Sequence, residues 1–126
     1  MSVKFTVNER RNPLNPQEPK KWYAYAKNAG DTTLRTLSKE IAARSTVSPA
    51  DTHAVLVALT EVLVEHLADG KIVRLGDFGA FQVTLNSNGT ETEANFNASL
   101  IKGNKVAFRP GIDLKEMQNN LKYEKA

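Results

Sequence analysis

The sequence predicts an α+β domain. Three observations carry that expectation. The stretch Lys71–Leu85, KIVRLGDFGAFQVTL, reads as two short strands joined by a glycine-rich turn. Two successive helical patterns precede it, and a short apolar pattern of helical period closes the chain. Strand-type alternation also opens the chain, so helices and strands are grouped rather than regularly interleaved.

The central stretch carries Ile72, Val73 and Leu75 in its first strand, and Phe81, Val83 and Leu85 at a spacing of two in its second. That spacing suits a strand with one buried side. Between them, Gly76 and Gly79 allow the chain to turn while Phe78 and Phe81 enter a core.

At the N-terminus, Val3, Phe5 and Val7 alternate with Lys4, Thr6 and Asn8, as in a half-buried strand over 2–9. Pro13, Pro16 and Pro19 exclude a regular helix or central strand from residues 10–21. Trp22 to Ala26 favours a second strand by its aromatic content. The two strands either pair through the long loop or join the edge of another sheet. Asn28-Ala29-Gly30-Asp31 marks a turn.

Thr32 or Thr33 caps a helix reaching about Arg44, with Leu34, Leu37 and Ile41 as its apolar stripe. Ser48 followed by Pro49 starts the next helix, and Asp51 suits the positive end of its dipole. That helix runs to about Ala68, where Asp69-Gly70 ends it. Val55, Leu56, Leu59, Val62, Leu63 and Leu67 make its apolar face, which Val57 and Val64 widen. So broad a face suggests contacts on two sides, one of them a sheet or a second subunit.

Residues 86–99, NSNGTETEANFNAS, read as an excursion with Phe96 as its one large apolar residue. Residues 104–109 form a further strand with Val106 and Phe108 on one face, stopped by Pro110-Gly111. The last helix begins near Asp113 and carries Leu114, Met117 and Leu121, with Lys122 and Lys125 near its C-terminus.

With 126 residues the chain suits one domain of modest core. There is no cysteine, which removes disulfides and thiolate chemistry. No apolar run approaches a membrane span and the N-terminus lacks a secretory pattern, so an intracellular, soluble protein is expected. The net charge is +3. Residues 1–30 hold six basic and two acidic groups, whereas residues 31–70 hold three and six.

Enzymatic readings find no support. His53 and His66 share a helix but stand about 140° apart around it, so they do not form a metal pair. Glu91 with Glu93, and Asp113 with Glu116, lack any sign of burial. The Gly76–Gly79 turn is not a phosphate loop, because it lacks the Lys-Ser/Thr that would follow and leads into a strand. No cofactor, metal or small-molecule substrate is expected.

Basic residues do interleave with sheet positions at Lys71, Arg74, Lys102, Lys105 and Arg109. They are candidates to contact phosphates along one outer face, or else solvated charges that guard strand edges. Lys115 in the last helix joins them, and Arg10, Arg11, Lys20 and Lys21 form a candidate secondary basic patch.

From Thr33 to Tyr123 the order is helix, helix, hairpin, excursion, strand, helix. With LSKEIAARS at 37–45, GDFGAFQV at 76–83 and VAFRPGIDLK at 106–115, this resembles the bacterial HU/integration-host-factor family of histone-like DNA-binding proteins. Gly76, Phe78, Gly79 and Phe81 match the family's turn before the β-arm, with Asp77 as an extra residue. Phe108, Arg109, Pro110 and Gly111 match the element before its last helix. Residues 1–31 lie outside the ordinary domain and look like the extension of a divergent subfamily of the Bacteroides group. Residues 32–126 are the histone-like domain, with the arm at about 86–103.

The resemblance implies an intertwined homodimer that binds double-stranded DNA without sequence specificity through a saddle of sheet, in the cytoplasm at the nucleoid. The arm departs from the family pattern. Residues 86–101 contain no basic residue and no proline, and they carry Glu91 and Glu93. Weaker bending than usual is therefore expected. The alternative is a dimeric structural or protein-interaction module with little DNA affinity.

Overall fold

A computed structural model describes all residues, Met1–Ala126. The chain divides into two compact units, Thr33–Glu116 and a smaller one made of Met1–Thr32 with Met117–Ala126.

The smaller unit is a three-stranded sheet. Strand β1 (Val3–Arg10) pairs antiparallel with β2 (Lys21–Ala26), in the register Thr6 opposite Tyr25 and Asn8 opposite Tyr23. The proline-bearing loop between them is turned by backbone bonds from Asn15 to Asn12 and from Glu18 to Asn15. The other edge of β1 is taken by residues expected to end the last helix. Tyr123–Lys125 form a parallel strand, β6, with Val3 opposite Tyr123. Helical pattern gives way here because Asn119 and Asn120 are weak helix formers and β1 offers an open edge of unpaired N–H and C=O groups.

In the larger unit, helices α1 (Leu34–Ala43) and α2 (Pro49–Ala68) begin where their capping residues predict. Thr33 accepts a hydrogen bond from the Thr36 N–H, and Ser48 accepts one from Asp51. The two helices are pinned by Ser38, which is only 2% exposed. Its hydroxyl donates to the Leu34 carbonyl at 2.7 Å and lies 3.2 Å from His53 Nδ1. The hydroxyl's one proton goes to Leu34, so His53 donates through Nδ1.

The second sheet has the order β3 (Val73–Arg74), β4 (Gly79–Ser87), β5 (Ile101–Pro110), all antiparallel. Strand β3 is shorter than the apolar run suggests, and β5 is longer. Helix α3 (Ile112–Asn119) follows β5.

The turn between β3 and β4 is a backbone lock. The Phe78 N–H donates to the Leu75 carbonyl, and Gly76 has φ +54°, in the left-handed region that glycine tolerates. The Phe78 carbonyl then accepts from Gly111 and the Asp77 carbonyl from Asp113, at 2.8 and 3.1 Å. The extra residue Asp77 thus ties the turn to the start of α3. At Gly111 a Cβ would overlap the Asp77 carbonyl, so this close approach requires glycine.

The apolar face of the second sheet carries Phe81 opposite Phe108, with ring centroids 4.7 Å apart, and Phe78 5.7 Å from Phe108. Yet no hydrophobic residue in the chain is fully buried. Leu85 and Val106 on that face are 66% and 62% exposed, and Val55 on α2 is 63% exposed. The chain exposes 10692 Å², whereas a folded monomer of this mass exposes about 6,700 Å².

Candidate nucleic-acid interface

Alternation along β4 and β5 separates the second sheet into two chemically distinct faces. Gly79, Phe81, Val83 and Leu85 fall on one side, Ala80, Gln82, Thr84 and Asn86 on the other. Arg74 is opposite Ala80, and Ala80 is opposite Arg109. Arg74, Ala80 and Arg109 therefore form a single row across three strands. Gln82 opposite Ala107 and Thr84 opposite Lys105 continue that face towards the arm. The small Ala80 and Ala107 leave a shallow depression of about 340 Å³ that Arg74, Gln82 and Arg109 help to line.

The remaining basic residues singled out in the sequence lie elsewhere. Lys71 sits ahead of β3 and pairs with Asp69 at 3.5 Å, the only salt bridge of the chain. Lys102 falls at a register shift, where Asn86 opposes Gly103 but Ser87 opposes Ile101. It is the extra residue of a β-bulge, and at three residues from Lys105 it does not share that residue's face by strand alternation. Lys115 is exposed on α3. Arg10 and Lys21 oppose each other at the end of the β1–β2 ladder, and Arg11 and Lys20 flank them in the loop.

The arm closes early. Two short 3-10 turns, Glu93–Asn95 and Ala98–Leu100, occupy its tip. The Asn88 N–H donates to the Leu100 carbonyl at 2.9 Å, which shuts the tip at its base. Asn97 Oδ1 accepts from the Ser99 N–H at 3.0 Å and caps the second turn. Phe96 lies between the turns, 40% exposed.

The charge is divided unequally between the units. Thr33–Glu116 carries nine basic and ten acidic residues, a net −1. The smaller unit carries eight basic and four acidic residues, a net +4. Sequence reasoning located the N-terminal excess but not the three C-terminal residues that join it in one sheet.

No cluster of three or more acidic or histidine side chains is placed to hold a metal ion. No helix is long and apolar enough to cross a membrane.

Comparison with known proteins agrees with this architecture. A solved structure of a candidate bacterial DNA-binding protein from Bacteroides vulgatus is similar over 98% of this chain, with a TM-score of 0.66 and 13% identity. This chain spans about half of that protein, 47% of its length. The HU protein of Anabaena, in a cocrystal with DNA, is similar over 71% of this chain and 99% of its own, with a TM-score of 0.56 and 22% identity. No curated protein sequence matches. Residues 1–125 match the family HU-HIG, described as an HU domain fused to a wHTH, Ig or glycine-rich motif. The chain therefore belongs to the HU-HIG family, and its larger unit has the α+β fold of the HU domain.

Proposed function

We propose that the protein acts as a homodimer that holds double-stranded DNA without reading its sequence, at the bacterial nucleoid in the cytoplasm. The contact surface is the polar face of the β3–β4–β5 sheet. The histone-like region, 32–126, supplies this surface, and its arm is 86–103. The carrying observation is the row Arg74–Ala80–Arg109, continued by Lys105, opposite a face of phenylalanines. Guanidinium groups in one row suit phosphate oxygens and displace condensed counterions. Lys71, Lys102 and Lys115 add charge around this row without extending it.

Dimerisation is supported by the apolar surface. The exposed face of the sheet and the broad stripe of α2 leave the isolated chain without a buried hydrophobic core. A twofold partner would cover them and double the arginine row. The arm limits the outcome. Residues 86–101 offer no cation and no proline wedge, and Glu91 and Glu93 repel phosphate. The duplex is accordingly held with little bending.

One observation favours a second reading. The larger unit has a net charge of −1, which suits an interaction module that keeps the fold and binds DNA poorly. A salt titration with a duplex of about 30 base pairs separates the two. Binding that weakens steeply with salt supports the first; a folded dimer with undetectable binding at low salt leaves only the second.

A further inference from the structure

The excess of positive charge in this chain is not in the unit that holds the arginine row. It is on the sheet of the smaller unit. On β1, Lys4, Thr6, Asn8 and Arg10 share one face; on β2, Lys21, Tyr23 and Tyr25 share it with them. Lys27 continues the ladder, its N–H bonded to the Lys4 carbonyl at 2.7 Å. Four cations therefore surround two tyrosines. The opposite face is largely apolar: it carries Val3, Phe5, Val7, Ala24, Ala26 and Trp22, with Glu9 opposite Trp22.

The single carboxylate brought to the basic face is Glu124, opposite Lys4, and it accepts a hydrogen bond from the Ser2 hydroxyl at 2.9 Å. None of the four cations makes an ion pair. Tyr23 and Tyr25 are 46% and 40% exposed. Being two residues apart on one strand, they stand about 6.8 Å from each other along it. Beside Tyr23 a depression of about 270 Å³ is lined by Arg10, Arg11, Asn12 and Pro13.

We infer that this face is a second nucleic-acid site, and that its ligand is single-stranded. A duplex hides its base faces and offers a sheet only its phosphates and groove edges. Two exposed aromatic rings between cations match what an unpaired strand presents: bases to stack on Tyr23 and Tyr25, and phosphates for Lys4, Arg10, Lys21 and Lys27. The depression beside Tyr23 receives a phosphate between Arg10 and Arg11. Stacking accepts every base, so the site tolerates sequence. DNA and RNA share this chemistry. The site stands apart from the duplex-binding reading given above and does not depend on it.

The test uses the full chain and labelled oligothymidylate and oligouridylate of about 12 nucleotides, followed by fluorescence anisotropy at low salt. Binding of either strand by the parent chain is expected; comparison of the two assigns DNA or RNA. Replacing both tyrosines, Y23A with Y25A, is expected to weaken single-strand binding about ten-fold or more. Y23F with Y25F, which keeps the rings, should retain it, and duplex affinity should stay within about two-fold of the parent in both. Ultraviolet crosslinking of a bromouracil-containing strand should label the 22–27 segment. Absence of single-strand binding by the parent overturns the inference. So does a crosslink confined to other segments, or a Tyr-to-Ala variant with parental single-strand affinity. Loss of duplex binding in the R74A R109A variant, with single-strand binding retained, would leave this inference standing whatever becomes of the other.

Discussion

Arg74 and Arg109 flank Ala80 in one row of the β3–β4–β5 sheet, and neither is engaged in a salt bridge. Their charges are therefore available to a polyanion rather than consumed within the chain. This distinguishes them from Lys71, whose ammonium is shared with Asp69.

Removing either arginine should lower duplex affinity equally for all sequences. Each substitution deletes two phosphate contacts in a dimer. R74A or R109A should thus reduce the slope of log affinity against log salt by about 1.8. A titration between about 50 and 200 mM salt measures it. K71A should change the slope less than either.

Reversing the charge of the arm should have the opposite effect. E91K with E93K converts a repulsive tip into an attractive one. Duplex binding at low salt should strengthen several-fold, with a steeper salt dependence. Electrophoretic mobility of the bound duplex should also report greater bending if the closed tip can reach the backbone.

The apolar stripe of α2 makes stability depend on concentration. Val55, Leu59 and Val62 lie on one side of the helix and are all exposed in the single chain. L59D should dissociate the dimer in sedimentation and lower the melting temperature. In the parent protein, dilution should lower it too. A parent chain that sediments as a stable monomer at micromolar concentration would contradict the dimeric reading.

Ser38 tests the helix pair on its own. S38A removes the hydroxyl that joins Leu34 and the half-buried His53. A loss of about 1 kcal/mol in unfolding free energy is expected by denaturant titration.

The turn and the last helix offer a steric test. G111A would drive a methyl group into the backbone of Asp77, where no side chain can yield. More than about 2 kcal/mol should be lost, placing it among the severe single substitutions.

Much of this fold was legible because its signals are local. Thr33, Ser48 and Pro49 start helices by chemistry confined to a few residues, and the Gly76–Gly79 turn is written in four. The features that escaped are relational. Tyr123-Glu124-Lys125 is a strand only because β1 has an edge to fill. The tyrosine face required knowing that Thr6 meets Tyr25 and Asn8 meets Tyr23, whereas composition alone only reported an aromatic strand.

The parallel pairing of β6 with β1 has a kinetic consequence. Strand β1 finds its last neighbour only after more than a hundred intervening residues have emerged. Until then the nascent β1–β2 hairpin presents a bare rim to any other extended polypeptide. Closure over so large a span is entropically slow, so this small sheet should be the last part to mature. A holding chaperone, or rapid burial against a sister chain, would shorten that vulnerable interval.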